Sequence, residues 1–199
     1  MKKLAILVSG IGTNMRHIFH AISNGKLSTT CRISSVISDR KCKAIKYAFK
    51  KKIATFSLQK TEKKLLSQEI DKILIKNTPD LIILSGFLSI LSKKFCKKWE
   101  KKIINIHPSL LPKYGGKGMY GMKVHQEVLK RKEKISGATV HYVTKDVDAG
   151  KIILNKSCKI SSKETPLSLY KKISLIEKEI LIQSLNYFFN QSFSKRRKI

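Results

Sequence analysis

The chain has 199 residues with 42% hydrophobic side chains, enough for one domain with a substantial buried core and too apolar for a disordered chain. Lysine and arginine number 42 against 13 acidic residues, a formal net charge of +29. No apolar run reaches the roughly 20 residues of a membrane span, and the four cysteines, Cys31, Cys42, Cys96 and Cys158, are too scattered for a zinc site or disulfide framework.

The N-terminal MKKLAILVSG is too short in its apolar stretch for a signal peptide, because Gly10 and Gly12 interrupt it at once. Lys3–Ser9 therefore reads as a buried strand, and the protein is expected to be cytoplasmic. Residues 9–14, SGIGTN, turn the chain into a helix from Met15 to about Asn24; read as an ordinary strand-to-helix turn, they would have Thr13 as the cap. Strands are expected at Arg32–Ser38, Ile53–Ser57, Asp80–Ser85, Ile103–Ile106, Gly137–Val143 and Lys151–Ile160. Helical spacing marks Lys43–Lys52, Thr61–Asn77, Ser92–Lys98, Met122–Arg131 and Thr165–Phe189. This alternation predicts an α/β, Rossmann-like fold. A largely parallel twisted sheet is flanked by helices, with an antiparallel element in the C-terminal half. One domain is expected over 1–190, followed by a basic C-terminal tail at 191–199.

The charge alone points to a polyanionic partner. Only six of the 42 basic residues are arginines, however, and arginine is the usual bidentate reader of phosphates and bases. The lysines are spread along the chain and no RNA-recognition signature accompanies them. A dedicated nucleic-acid partner is therefore not expected. The same field would steer small anionic substrates.

Three motifs could carry chemistry. In SGIGTN the glycines let backbone N–H groups approach an anion at a helix N-terminus. The motif lacks the third glycine of a dinucleotide fingerprint and the Gly-Lys-Ser/Thr of a P-loop, so a single phosphate fits it best. An ordinary strand-to-helix turn is the alternative. In Asn105-Ile106-His107-Pro108 the i, i+2 spacing on a strand puts an amide and an imidazole on one face, a scaffold for polarising a carbonyl. A purely structural histidine is the competing reading. Asp148, in Val147-Asp148-Ala149-Gly150, could cap a turn or raise the pKa of a nearby histidine. His141, on the strand leading there, could stand behind it. His17, His20 and His125 show no metal-ligand spacing, and no Gly-x-Ser-x-Gly elbow supplies a nucleophile.

In this order, SGIGTN (9–14), PDLIILSGFLSILS (79–92), INIHPSLLPKYGGKG (104–118) and GATVHYVTKDVDAGKII (137–153) resemble the folate-dependent phosphoribosylglycinamide formyltransferases. The resemblance spans Leu4 to about Phe188. It implies transfer of the formyl group of 10-formyltetrahydrofolate to the amine of glycinamide ribonucleotide in purine synthesis, with no metal. Asn105, His107 and Asp148 would be catalytic, with His107 protonated. Gly12, Thr13, Asn14 and Glu177 would hold the ribose phosphate and ribose. Leu88, Ser89, Ile90, Leu91, Asn105, Val143 and Thr144 would bind folate, within a slot extending from Val143 to Asp148, with Leu84 and Ile104 among its apolar walls. The family often has arginine where Ser89 stands. Lys60 or Lys63 would meet the folate glutamate tail. Partners would be small molecules only, with no membrane, and the enzyme a monomer or homodimer. The tRNA-formylating branch normally adds a C-terminal RNA-binding domain and the formyltetrahydrofolate hydrolases an N-terminal regulatory one, and neither is expected here. A binding module that had lost catalysis would lack one of Asn105, His107 and Asp148.

Overall fold

A computed structural model describes residues 1–27, 31–59 and 62–194, the last five of these as backbone only. Seven strands form one sheet in the order β3-β2-β1-β4-β5-β6-β7. They are β1 (Lys2–Val8), β2 (Cys31–Ser38), β3 (Ala54–Ser57), β4 (Leu81–Leu84), β5 (Ile103–His107), β6 (Ile135–Tyr142) and β7 (Ile152–Lys159). Pairing is parallel from β3 across to β5, while β6 and β7 join antiparallel. The helices are α1 (Thr13–Ser23), α2 (Lys43–Lys50), α3 (Lys63–Asn77), α4 (Lys93–Lys98), α5 (Met122–Lys130) and α6 (Pro166–Ser194).

The period-2 alternation of a strand explains why β1 is apolar throughout. Leu4, Ile6 and Val8 enter the core shared with α1, α5 and α6, whereas Ala5 and Leu7 enter the core shared with α3 and α4. Both faces of the sheet are covered, so a central strand has no polar side to show. β7, at the edge, is mostly exposed and mixes Asn155, Lys156, Ser157 and Lys159 with apolar residues.

Several expected boundaries move. α1 begins at Thr13, so Thr13 is its first residue rather than its cap. Gly12 holds the cap position in the left-handed region (φ +76) with no side-chain capping bond. A Cβ there would lie 2.7 Å from that of Ala44, so glycine serves both the backbone angle and the close approach of α2. α6 runs on past Phe189 to Ser194, because no glycine or proline interrupts the pattern. The residues of the basic tail beyond it, and Lys60, lie outside the described residues. No described helix is long and apolar enough to cross a membrane.

Candidate active site

A cleft of about 630 Å³ opens at the carboxyl ends of β1, β4 and β5. β1 sends its connection to β2 on one side, whereas β4 lies on the other. The cleft therefore sits at the point where strand order reverses, the usual place for ligands in an open α/β sheet.

Asn105 and His107 project from the end of β5 onto the same face, as their spacing requires. Opposite them, the loop after β6 brings Asp148 in with a left-handed backbone (φ +54), a conformation that aspartate tolerates better than most residues. Its Oδ2 accepts from Gly116 N at 2.9 Å and lies 3.5 Å from His107 Nδ1. Its Oδ1 lies 3.4 Å from Asn105 Nδ2 and 3.6 Å from His141 Nε2. Asn105 Nδ2 is also 3.1 Å from His141 Nε2. One carboxylate thus joins an amide and two imidazoles.

The ring nitrogens are distinguished by their other partners. His107 Nε2 is 2.7 Å from the Tyr114 carbonyl, which can only accept, so this nitrogen carries a proton and Nδ1 is the atom that titrates. His141 Nδ1 likewise donates to Tyr142 O at 2.9 Å. Burial lowers the pKa of His107, and Asp148 opposes this without overcoming it. That direction works against the imidazolium that the resemblance implies and favours the uncharged ring, whose Nδ1 faces Asp148. Asp148 itself is held below the usual carboxylate range. Burial opposes its ionisation, but hydrogen bonding to His141, the attraction of His107 whenever that ring is protonated, and the Gly116 N–H outweigh it.

The other end of the cleft is formed by Gly10 to Asn14 and by α6. The Glu177 carboxyl is pushed up to about 7, because burial outweighs the hydrogen bond from Asn14 and the charge of Lys178. Asn14 is buried, and its Oδ1 has no hydrogen-bond partner. Such an atom costs about 1–3 kcal/mol unless something else satisfies it.

Most residues expected to bind ligand line this cleft: Gly12, Thr13, Asn14 and Glu177 at one end, and Leu88, Ser89, Ile90, Leu91, Asn105, Val143 and Thr144 toward the other. Leu84 lines it as well, but Ile104 does not. It is fully buried in the core with α6, because it points away from the face that carries Asn105. Lys63 is exposed at the start of α3 and is not among the residues lining the cleft.

His141, expected to stand behind Asp148, lies against it and meets Asn105 as well. Sequence reasoning missed His125, Tyr170 and Ser174. His125 lines the cleft with its pKa lowered to about 4 by burial and by His107, and its Nδ1 has no partner. Tyr170 and Ser174 share the Glu177 face of α6, at the i, i+4, i+7 spacing that could have revealed them. Among the described residues no group of histidine, cysteine or carboxylate side chains could hold a metal.

The sequence profile of the formyl transferase family matches residues 2–185. The chain belongs to this family. A phosphoribosylglycinamide formyltransferase of Haemophilus influenzae is 35% identical over 162 residues, which cover 77% of this chain and 71% of that protein. A chloroplastic one from Arabidopsis thaliana is 32% identical over 186 residues, covering 92% of this chain and 63% of that protein. The chain thus spans less than two thirds of that plant relative. The solved structure of a phosphoribosylglycinamide formyltransferase from Coxiella burnetii superposes with a TM-score of 0.84 at 33% identity, covering 94% of this chain and 86% of that one. At that TM-score the two chains share one fold.

Proposed function

We propose that this chain transfers a formyl group from 10-formyltetrahydrofolate to the amine of glycinamide ribonucleotide, a step of purine synthesis, and that it works as a single domain over 1–190. The observation that carries the reading is the convergence of Asn105, His107, His141 and Asp148 at one point of the cleft. Family membership and relatives named for this reaction support it.

The ribonucleotide phosphate sits on the N–H groups that follow Gly12. Asn14 completes that end and Glu177 accepts from the ribose hydroxyls. The donor's flat ring lies between Leu88 to Leu91 and Val143 to Asp148, with Leu84 beneath, and both anionic substrates, the phosphorylated ribonucleotide and the carboxylate-bearing folate, are drawn in by the +29 field. The neutral amine attacks the formyl carbon. A carbon–nitrogen bond forms, the carbonyl π pair moves to oxygen, and the attacking nitrogen becomes positive. Asn105 Nδ2 donates to that oxygen, an interaction worth roughly 3–4 kcal/mol in a site of this kind. The amine proton passes to His107 Nδ1. The resulting imidazolium is stabilised by Asp148 Oδ2 3.5 Å away and faces the new negative charge. The oxygen pair then re-forms the carbonyl, the bond from the formyl carbon to the folate nitrogen breaks with its pair going to that nitrogen, and the nitrogen takes the same proton from His107. Proton and electron pairs balance with no covalent enzyme intermediate.

The test is a formyl-transfer assay that follows folate absorbance with and without the ribonucleotide. Turnover that requires the ribonucleotide, and yields one formylated product per folate released, is expected. Equal folate turnover without it would assign hydrolysis instead.

A further inference from the structure

Asp39 is a carboxylate with 0% exposure that lies outside the catalytic cluster, just past the carboxyl end of β2. Burying an unpaired charge costs several kcal/mol, so its partners define its role. Arg40 Nε donates to Oδ1 at 2.9 Å and Nη2 to Oδ2 at 2.8 Å. Ser89 Oγ donates to Oδ2 at 2.6 Å, and the Ser9 hydroxyl also bonds the carboxylate. Ser9 Oγ in turn accepts from Leu88 N at 2.8 Å.

Two successive residues of the cleft wall are therefore tied to the rest of the molecule from outside the cleft. Leu88 is held by its main chain to Ser9 after β1, and Ser89 by its side chain to Asp39 after β2. The wall has no regular secondary structure of its own, and Gly86, Leu88 and Ile90 in it are exposed. Neither Asp39 nor Arg40 lines the cleft. The single hydroxyl proton of Ser89 is spent on Asp39, so Ser89 has none to donate to a ligand.

We propose that Asp39 is a positioning residue: its carboxylate fixes the 86–91 wall against the ends of β1 and β2, and so sets the affinity for the donor's flat ring without touching either substrate. The inference rests on the formyl-transfer reading. The effect follows from ordering cost. A wall that is already fixed does not have to be immobilised when the ring binds, whereas a loose one does.

Asp39→Asn, Ser89→Ala and the double variant test this through kcat and the KM of each substrate. Asp39→Asn is expected to raise the donor KM about five- to tenfold, with kcat and the ribonucleotide KM within about twofold of the parent. Ser89→Ala is expected to do the same, and the double variant to be no worse than the worse single one, because both changes break one connection. An unchanged donor KM in folded Asp39→Asn overturns the proposal, as does a matching fall in kcat. Additive losses also overturn it, because Ser89 would then meet the ligand itself. If Asp39→Asn does not fold, Ser89→Thr decides against Ser89→Ala. Recovery of the donor KM by the retained hydroxyl supports the brace, and no difference between the two overturns it. Absence of transfer by the parent protein would defeat the formyl-transfer reading, whereas a working parent with unchanged variants defeats the brace alone.

Discussion

The two ends of the cleft are built on opposite plans. At the Asp148 end the polar groups satisfy one another: the carboxylate holds Gly116 N and faces Asn105, His107 and His141, and each histidine anchors its second nitrogen on a backbone carbonyl. At the Asn14 end, Asn14 Oδ1 is buried without a hydrogen-bond partner, and Glu177 carries a carboxyl that titrates near neutrality. The first arrangement is preorganised for a charge that appears only during reaction. The second is left to be completed by a bound molecule. Substitutions at the first end should therefore act on turnover, and those at the second on binding.

The largest effect is expected from Asp148→Asn. It keeps the shape but removes the charge that stabilises a protonated His107, so kcat should fall about a hundredfold or more with both KM values little changed. Steady-state kinetics reads this directly, and a rise in KM without loss of kcat would erase the contrast. Asn105→Ala should cost kcat nearly as much, by removing the donor to the formyl oxygen. Asn14→Ala should leave kcat standing and raise the ribonucleotide KM about tenfold, which calorimetric titration of the ribonucleotide checks independently.

Glu177 supplies a sharper, pH-resolved version of the contrast. Its folded pKa, about 7, lies above the ordinary 4.5. Between those values the unfolded chain is ionised while the folded one keeps its proton. The contribution of this group to stability is therefore full below pH 4.5 and lost as pH rises through 7. Glu177→Gln should raise Tm at pH 8 and leave it unchanged at pH 4. It should also flatten the pH dependence of ribonucleotide affinity, which in the parent rises through about pH 7 as the carboxylate forms. The smallest effect concerns both ends together. Raising salt should lower kcat/KM severalfold while sparing kcat, because the +29 field acts on capture.

Much of this organisation was legible in the residues. The apolar run of β1 and the DLIILS segment announce buried strands, and the Asn-x-His spacing at a strand end places two polar groups on one face. What escaped depended on distance in space rather than position in the chain. Nothing local marks Asp39 as buried, since its partner Ser89 lies fifty residues away. The charge state of His107 could not be read either. A nearby aspartate argues for an imidazolium, whereas burial, which depends on the whole fold, pulls the pKa of this ring down. Thr13 looked like a cap because threonine often is one, but contact with Ala44 requires glycine at that place.

The central claim is that Asp148 acts through a neutral His107 that gains its proton only during transfer. The most direct test is the pH profile of the single-turnover transfer rate for the parent and for Asp148→Asn, with both substrates saturating. The parent rate should stay level near neutrality and fall only at pH below the ordinary histidine value of 6.5, since a proton already on Nδ1 blocks acceptance from the amine. Asp148→Asn should be about a hundredfold slower at every pH. A parent rate that climbs as pH drops through 6.5, or an undiminished rate in Asp148→Asn, would contradict it.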